Sequence, residues 1–254
     1  MASEAEYAPV LRVESGGAAV RLTLNRPAKR NALNCELNRA LAEACRKVPD
    51  DAALVVLSGA GPDFCAGSDL FDLYQADRAE AERVLRLEIE ACHALAALPQ
   101  LTVVVLHGRC RGGGAILPLY CDLRIGCAGV SFALPEASLG WAPPYGIERM
   151  LGRFPRSSAL EVLLSGRVCG DQEALRMGWI DTLVGPDPAE AQGQAALLAE
   201  RDPRVVRDIL GLAGPRDAGQ MRGADEKALA AFLNHFDTEL ARRRVADFVE
   251  RKRR

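Results

Sequence analysis

Apolar and polar residues alternate through "VLRVES" and "AAVRLTL", two short stretches rich in β-branched side chains that predict an antiparallel hairpin near the start of the chain. "NRPAKRNAL" breaks the alternation with Pro27 and a polar cluster, and reads as a loop. Beyond it the period lengthens. Leu37, Leu41 and Cys45 recur every four residues behind Asn34, a good capping residue, which predicts a helix to about Lys47. "ALVVLSG" and "LTVVVLHG" are apolar runs of strand length, each leading into a glycine-containing turn, with a helix predicted over 79–98 between them. "DLRIGC" and "VSFAL" read as further strands, and "PEASLGWAPPYGIERML" as an ordered loop. Helical periods then dominate. Strands alternating with helices to about residue 185, followed by helices alone, predict an α/β core with a helical C-terminal extension.

Composition narrows the function more than the fold. With 254 residues, 49% hydrophobic and 26% charged, the chain has the makings of one large globular domain and an appendage. A net charge of −2 gives no general attraction to nucleic acid or to an anionic membrane. No apolar run is long enough to span a bilayer, and "MASEAEYAPV" has neither the basic nor the hydrophobic part of a secretion signal, so a cytoplasmic protein is expected. The eight cysteines form no C-x-x-C pair and mostly sit in apolar segments, as buried free thiols would. With three dispersed histidines no metal site is expected, and four lysines leave little scope for a Schiff base.

The stretch "GRCRGGGAILPLY" carries the chemistry. Three glycines open onto the apolar run 115–120, which reads as the first turns of a buried helix. Such a turn leaves main-chain N–H groups free to meet a phosphate, a carboxylate or an oxyanion formed during a reaction.

Four segments stand in order: "LNRPAKRNAL" at 24–33, "FCAGSDL" at 64–70, "HGRCRGGGAILPLYCDLRI" at 107–125 and "FALPEASLG" at 132–140. In this order, and with "LLSGRVCGDQEALRMGWID" and "FVERKRR" following, the chain resembles the enoyl-CoA hydratase/isomerase (crotonase) superfamily. The resemblance implies a crotonase-like α/β spiral of repeated ββα units over residues 1–195, and a helical C-terminal region, 196–254, for trimerisation. It also implies acyl-CoA substrates, no cofactor beyond the coenzyme A of the substrate, and a homotrimer or dimer of trimers. Residues 228–232 and 245–249 are expected to be buried between subunits. The backbone N–H groups of Ser68 and Gly113 would hold the thioester oxygen. Gly67, Asp69, Leu70 and Gly112 would lie along the substrate, Lys29 or Arg30 near a phosphate, and Ala66 near the adenine end.

The chain departs from the hydratase pattern in one respect. Hydratases of the family have a glutamate two residues beyond the glycine triplet and another in the "PE" step; here Ile116 occupies the first position and Glu136 the second. Hydration uses a base for the water and an acid for the α-carbon, whereas moving a double bond between the 3,4 and 2,3 positions needs only one carboxylate to shuttle a proton. The resemblance therefore implies an isomerase-like enzyme with Glu136 as proton shuttle and Ile116 on the apolar wall of the acyl pocket, while Trp141 and Tyr145 either shape that pocket or pack beneath the loop. The alternatives are a hydratase using Glu136 alone, a decarboxylase relying on the oxyanion hole, and a non-catalytic acyl-CoA binder. Glu148 and His235 are further candidates for the site, with a solvated helix charge as the competing reading for each.

Overall fold

The predicted hairpin forms from β1 (Leu11–Gly16) and β2 (Ala19–Leu24) in the computed structural model, which describes residues 9–213 and 218–253. The remaining strands are β3 (Leu54–Gly59), β4 (Leu101–Leu106), β5 (Arg109–Arg111), β6 (Leu123–Cys127), β7 (Ser131–Ala133), β8 (Cys169–Gly170) and β9 (Thr182–Val184). They divide between two sheets. The larger runs in the order β1-β2-β3-β4-β6-β9 and is parallel from β2 onward, and the smaller runs β5-β7-β8. β5, β8 and β9 are only two or three residues long and escape a periodicity reading.

The helices are α1 (Cys35–Arg46), α2 (Leu70–Gln75), α3 (Arg78–Ala96), α4 (Gly113–Ile116), α5 (Glu136–Leu139), α6 (Ile147–Leu151), α7 (Arg156–Ser165), α8 (Asp171–Met177), α9 (Pro188–Leu198), α10 (Pro203–Leu212), α11 (Ala218–Phe236) and α12 (Glu239–Arg253). The Asn34 side chain caps α1 through the Leu37 amide, as expected, and Asp77 caps α3 through that of Glu80. Helices cover both faces of the large sheet. Leu54, Val56, Val103 and Val105 cluster with Ala191 and Ala195 of α9, while Val55, Leu57, Val104 and Leu106 belong to the main core with α1 and α3. Burial on two sides is why these strands read as unbroken apolar runs.

Two expectations need correction. The run 115–120 does not continue one helix: α4 stops at Ile116 and a 3₁₀ turn, Leu117–Tyr120, takes over. Pro118 has no N–H to give the carbonyl of Gly114, so an α-helix cannot pass through it intact. The apolar residues at 228–232 and 245–249 are also not left for a neighbouring subunit. Leu229, Phe232, Val245 and Val249 are buried in the main core of their own chain, with α11 packed on α3 and α6 and α12 on α2 and α5. Among the described residues, α10 leaves an apolar face uncovered: it buries none of its residues and exposes Val205, Ile209 and Leu212.

All eight cysteines are free thiols, seven of them buried, and burial pushes Cys45 and Cys65 up to about 12. Among the described residues no three metal-ligating side chains converge, and no helix is long and apolar enough to cross a membrane.

Candidate active site

The loop after β3 and the glycine turn after β5 are drawn together by backbone pairing. Cys65 bridges Cys110, and the Arg111 amide donates to the Cys65 carbonyl at 3.0 Å. Ser68 bridges Leu33 in the preceding loop: the Leu33 amide donates to Gly67 O and the Asp69 amide to Leu33 O, at 2.8 and 2.9 Å. Leu33 thereby uses the residues on either side of Ser68 and leaves the Ser68 N–H out of this pairing, and Ser68 lines a cavity together with Gly113.

Each glycine here answers to a separate constraint. Gly67 (φ +90°) lies against the Arg111 carbonyl, where a Cβ would come within 2.6 Å of the oxygen. Gly112 (φ +50°) faces Glu136, whose Oε1 would lie 2.9 Å from a Cβ. At Gly113 a Cβ would meet the Tyr145 hydroxyl at 2.5 Å and Glu88 Oε2 at 3.3 Å. A side chain at either of the last two would occupy space held by oxygen atoms. The oxygen atoms beside Gly112 and Gly113 belong to the protein's own Glu136, Glu88 and Tyr145 side chains.

Glu136 is the first residue of α5 and is 8% exposed. Its Oε2 is buried with no hydrogen-bond partner among the described residues, and burial pushes the carboxyl up to about 7. It shares with Ala66, Gly67, Ser68, Gly112 and Gly113 a narrow cavity of about 50 Å³ whose remaining wall is apolar: Leu70, Leu73, Leu85, Pro135, Leu139, Trp141, Pro144 and Phe232. Trp141 is held by rings from α11, with centroids 5.0 Å from Phe232 and 5.8 Å from Phe236.

The other predicted residues are more scattered. Ile116 is not on the cavity; it packs beneath the loop, where a Cβ on Gly146 would come within 2.2 Å of its Cγ2. Its expected place in the acyl pocket is corrected accordingly. Tyr145 also stands behind the lining, fully buried. Asp69 is tied to Arg26 at 3.2 Å. Lys29 extends over the Phe71 ring, 5.7 Å from its centroid. Arg30 lines an outer cavity of about 560 Å³ with Arg109, Arg111, Arg244, Arg251 and Lys252, and this shares Ala66, Leu70, Pro135 and Leu139 with the inner one. His235 is exposed, and neither it nor Glu148 lines either cavity. A larger concavity of about 680 Å³ lies elsewhere, among Arg46, Glu90 and Gln100, and touches none of these groups.

The principal residue that sequence reasoning missed is Glu88. Only 1% exposed, it accepts hydrogen bonds at Oε2 from the Ser68 hydroxyl and the Tyr145 hydroxyl, both at 2.9 Å, and burial raises its carboxyl to about 8. A signal existed. On α3 the buried face runs Ala81, Leu85, Glu88, Cys92, Leu95, so a glutamate interrupts an otherwise apolar stripe.

Residues 19–251 match the family model described as enoyl-CoA hydratase/isomerase. The probable enoyl-CoA hydratase EchA17 of Mycobacterium tuberculosis is 34% identical over 169 residues, 65% of this chain and 64% of that protein, so the chain spans just under two thirds of this relative's length. Among solved structures, an enoyl-CoA hydratase/isomerase from Mycobacterium paratuberculosis superposes with a TM-score of 0.84 at 25% identity, covering 95% of this chain and 99% of the other. An enoyl-CoA hydratase from Mycobacterium avium gives 0.85 at 24% identity, covering 96% and 98%, a likeness of fold.

Proposed function

The chain belongs to the enoyl-CoA hydratase/isomerase family, and from that premise we propose an isomerase-like enzyme of acyl-CoA thioesters in which Glu136 alone shuttles the proton. The observation that carries this reading is the buried carboxyl of Glu136, with Oε1 against Gly112 and Oε2 without a hydrogen-bond partner among the described residues, on a cavity walled mainly by apolar side chains. A carboxyl raised to about 7 divides between its base and acid forms near neutral pH, the condition for taking a proton and returning it.

The thioester oxygen accepts from the Ser68 and Gly113 amides, whose fixed dipoles oppose the negative charge of the enolate; each such donor is worth roughly 3 kcal/mol. The C2–H bond breaks, its proton goes to Glu136, and the electron pair spreads over C2, C4 and the thioester oxygen. Protonated Glu136, whose proton exchanges with solvent between the two steps, then gives a proton to C4 as the double bond settles between C2 and C3. No other reactant is needed, and no cofactor or metal enters the proposal.

The outer cavity supplies what the coenzyme moiety requires. Its six basic side chains complement phosphate groups, and its floor merges with the reaction cavity, so a pantetheine arm would run from one to the other. Lys29, outside this lining, has no part in it. Assembly as a trimer or dimer of trimers stays part of the proposal, with the apolar face of α10 as the surface available for it.

The test offers the protein 3-enoyl- and 2-enoyl-CoA thioesters in deuterated water and follows products by mass spectrometry. Double-bond migration with deuterium entering C2 and C4, lost in Glu136→Gln, is the expected result. Efficient hydration unaffected by Glu136→Gln would reject the mechanism.

A further inference from the structure

Glu88 and Glu136 reach the glycine turn from different elements. Glu136, on α5, lies against Gly112, and Glu88, on α3, lies against Gly113, the residue whose amide is the second oxyanion donor of the reading above. Glu88 is not on the cavity wall. Its link to the substrate runs through Ser68, which lines the cavity and whose hydroxyl it binds, and through Tyr145, whose hydroxyl sits over Gly113.

We propose that Glu88 is a positioning residue of the oxyanion hole: as a neutral acid it holds Ser68 and Tyr145 against Gly113, and its ionisation weakens the hold on the thioester oxygen. The inference rests on the acyl-CoA reading and deepens it.

The hydrogen bonding is compatible with the neutral form. Both hydroxyls donate to Oε2, which serves as the carbonyl oxygen, while Oε1, buried with no hydrogen-bond partner among the described residues, carries the proton. Losing that proton leaves the geometry in place but puts a full negative charge behind Ser68 and Gly113, where an enolate also accumulates negative charge. In a water-poor site the two repel.

The surroundings favour the neutral acid. The charged groups acting on Glu88 are Glu136 from α5 and Asp69 from the turn before α2, both raising its carboxyl, and Asp69 is itself paired with Arg26. The Tyr145 and Ser68 hydroxyls pull the other way and burial outweighs them. The nearby thiols, Cys65 and Cys92, are pushed up by burial and stay neutral.

The test reads the hole without turnover. Butyryl-CoA labelled with ¹³C at C1 has no double bond to move, and the carbonyl shift of the bound ester reports how strongly its oxygen is polarised. In the wild type the displacement from the free value should shrink as pH rises through about 8. Glu88→Gln, which keeps an acceptor for both hydroxyls and cannot ionise, should hold the displacement across that range. Tyr145→Phe removes a donor that favours the ionised form, so its transition should move to higher pH. The step at Glu136 is common to all three proteins. Identical pH courses in wild type and Glu88→Gln, or an unmoved transition in folded Tyr145→Phe, would overturn the inference alone. Failure of butyryl-CoA to bind the wild type would overturn the acyl-CoA reading, and this inference with it.

Discussion

Asp225 and Gly146 lie 79 residues apart, yet the carboxylate on α11 accepts the loop amide at 2.9 Å and fixes the segment that carries Tyr145. The other oxygen of Asp225 accepts from the Tyr120 hydroxyl at 2.9 Å and pairs with His93 Nε2 at 2.7 Å. One buried side chain thus joins α11, α3 and the loop after α5. Asp225→Ala would leave the buried Tyr120 hydroxyl and Gly146 amide, and the half-buried His93, without this partner, and stability to urea should fall by about 3 kcal/mol. Loss of activity at temperatures where the variant is still folded would show that the loop has come loose from Glu88.

Glu136→Gln should reduce proton exchange by roughly 10²–10⁴-fold while leaving acyl-CoA affinity nearly unchanged, since a placed base contributes about that much. The rate of the wild type should rise as pH passes through about 7, where the base form appears. Single-turnover deuterium exchange, with affinity by calorimetry, separates the two effects.

Stability should run against activity. Glu136 is raised from 4.5 to about 7 and Glu88 from 4.5 to about 8, so the folded state holds these protons more tightly than the unfolded chain. The contribution of the pair is complete below about 4.5 and is lost as pH rises through about 7 and 8. At pH 8.5 Glu136→Gln should therefore be more stable than the wild type, by about 1–3 kcal/mol. Equal urea midpoints at that pH would contradict it.

Ile116→Glu would not restore a hydratase pair. Ile116 packs against Gly146 beneath the loop, so the new carboxylate would be buried behind the wall with no partner, at a cost of several kcal/mol. Reduced soluble yield or a lowered melting temperature, with no gain in hydration of 2-enoyl-CoA, is the outcome expected.

Leu85→Ala should extend the range of acyl chains. The reaction cavity of about 50 Å³ takes a short acyl end, and Leu85 forms part of its inner wall. The ratio of kcat/KM for an eight-carbon over a four-carbon thioester should rise about tenfold, at some loss of stability from the deleted methyl groups.

Much of this architecture is legible along the chain because the apolar periods are set by burial on the sheet and on α1, and the ordered glycine motifs locate the Ser68 and Gly113 turns. What was not legible involves contacts between distant segments. Glu88 shows along the chain only as a break in the apolar stripe of α3, and one of the two partners of its oxygen, Tyr145, comes from a loop whose path is fixed by Asp225. The core contacts of α11 and α12 were hidden for a related reason. An amphipathic helix announces that it has a face to cover, but not whether its own subunit or a neighbour will cover it.

The return of α11 and α12 also sets an order of events during synthesis. The oxygen-rich cradle is complete in sequence once Tyr145 has left the ribosome, but its apolar wall waits for Phe232, and its basic mouth for Arg244, Arg251 and Lys252. A nascent chain emerging N-terminus first would leave the cavity beside Glu136 without that part of its wall until those final helices dock. The burial that raises the Glu136 carboxyl is therefore complete only when the last helices close.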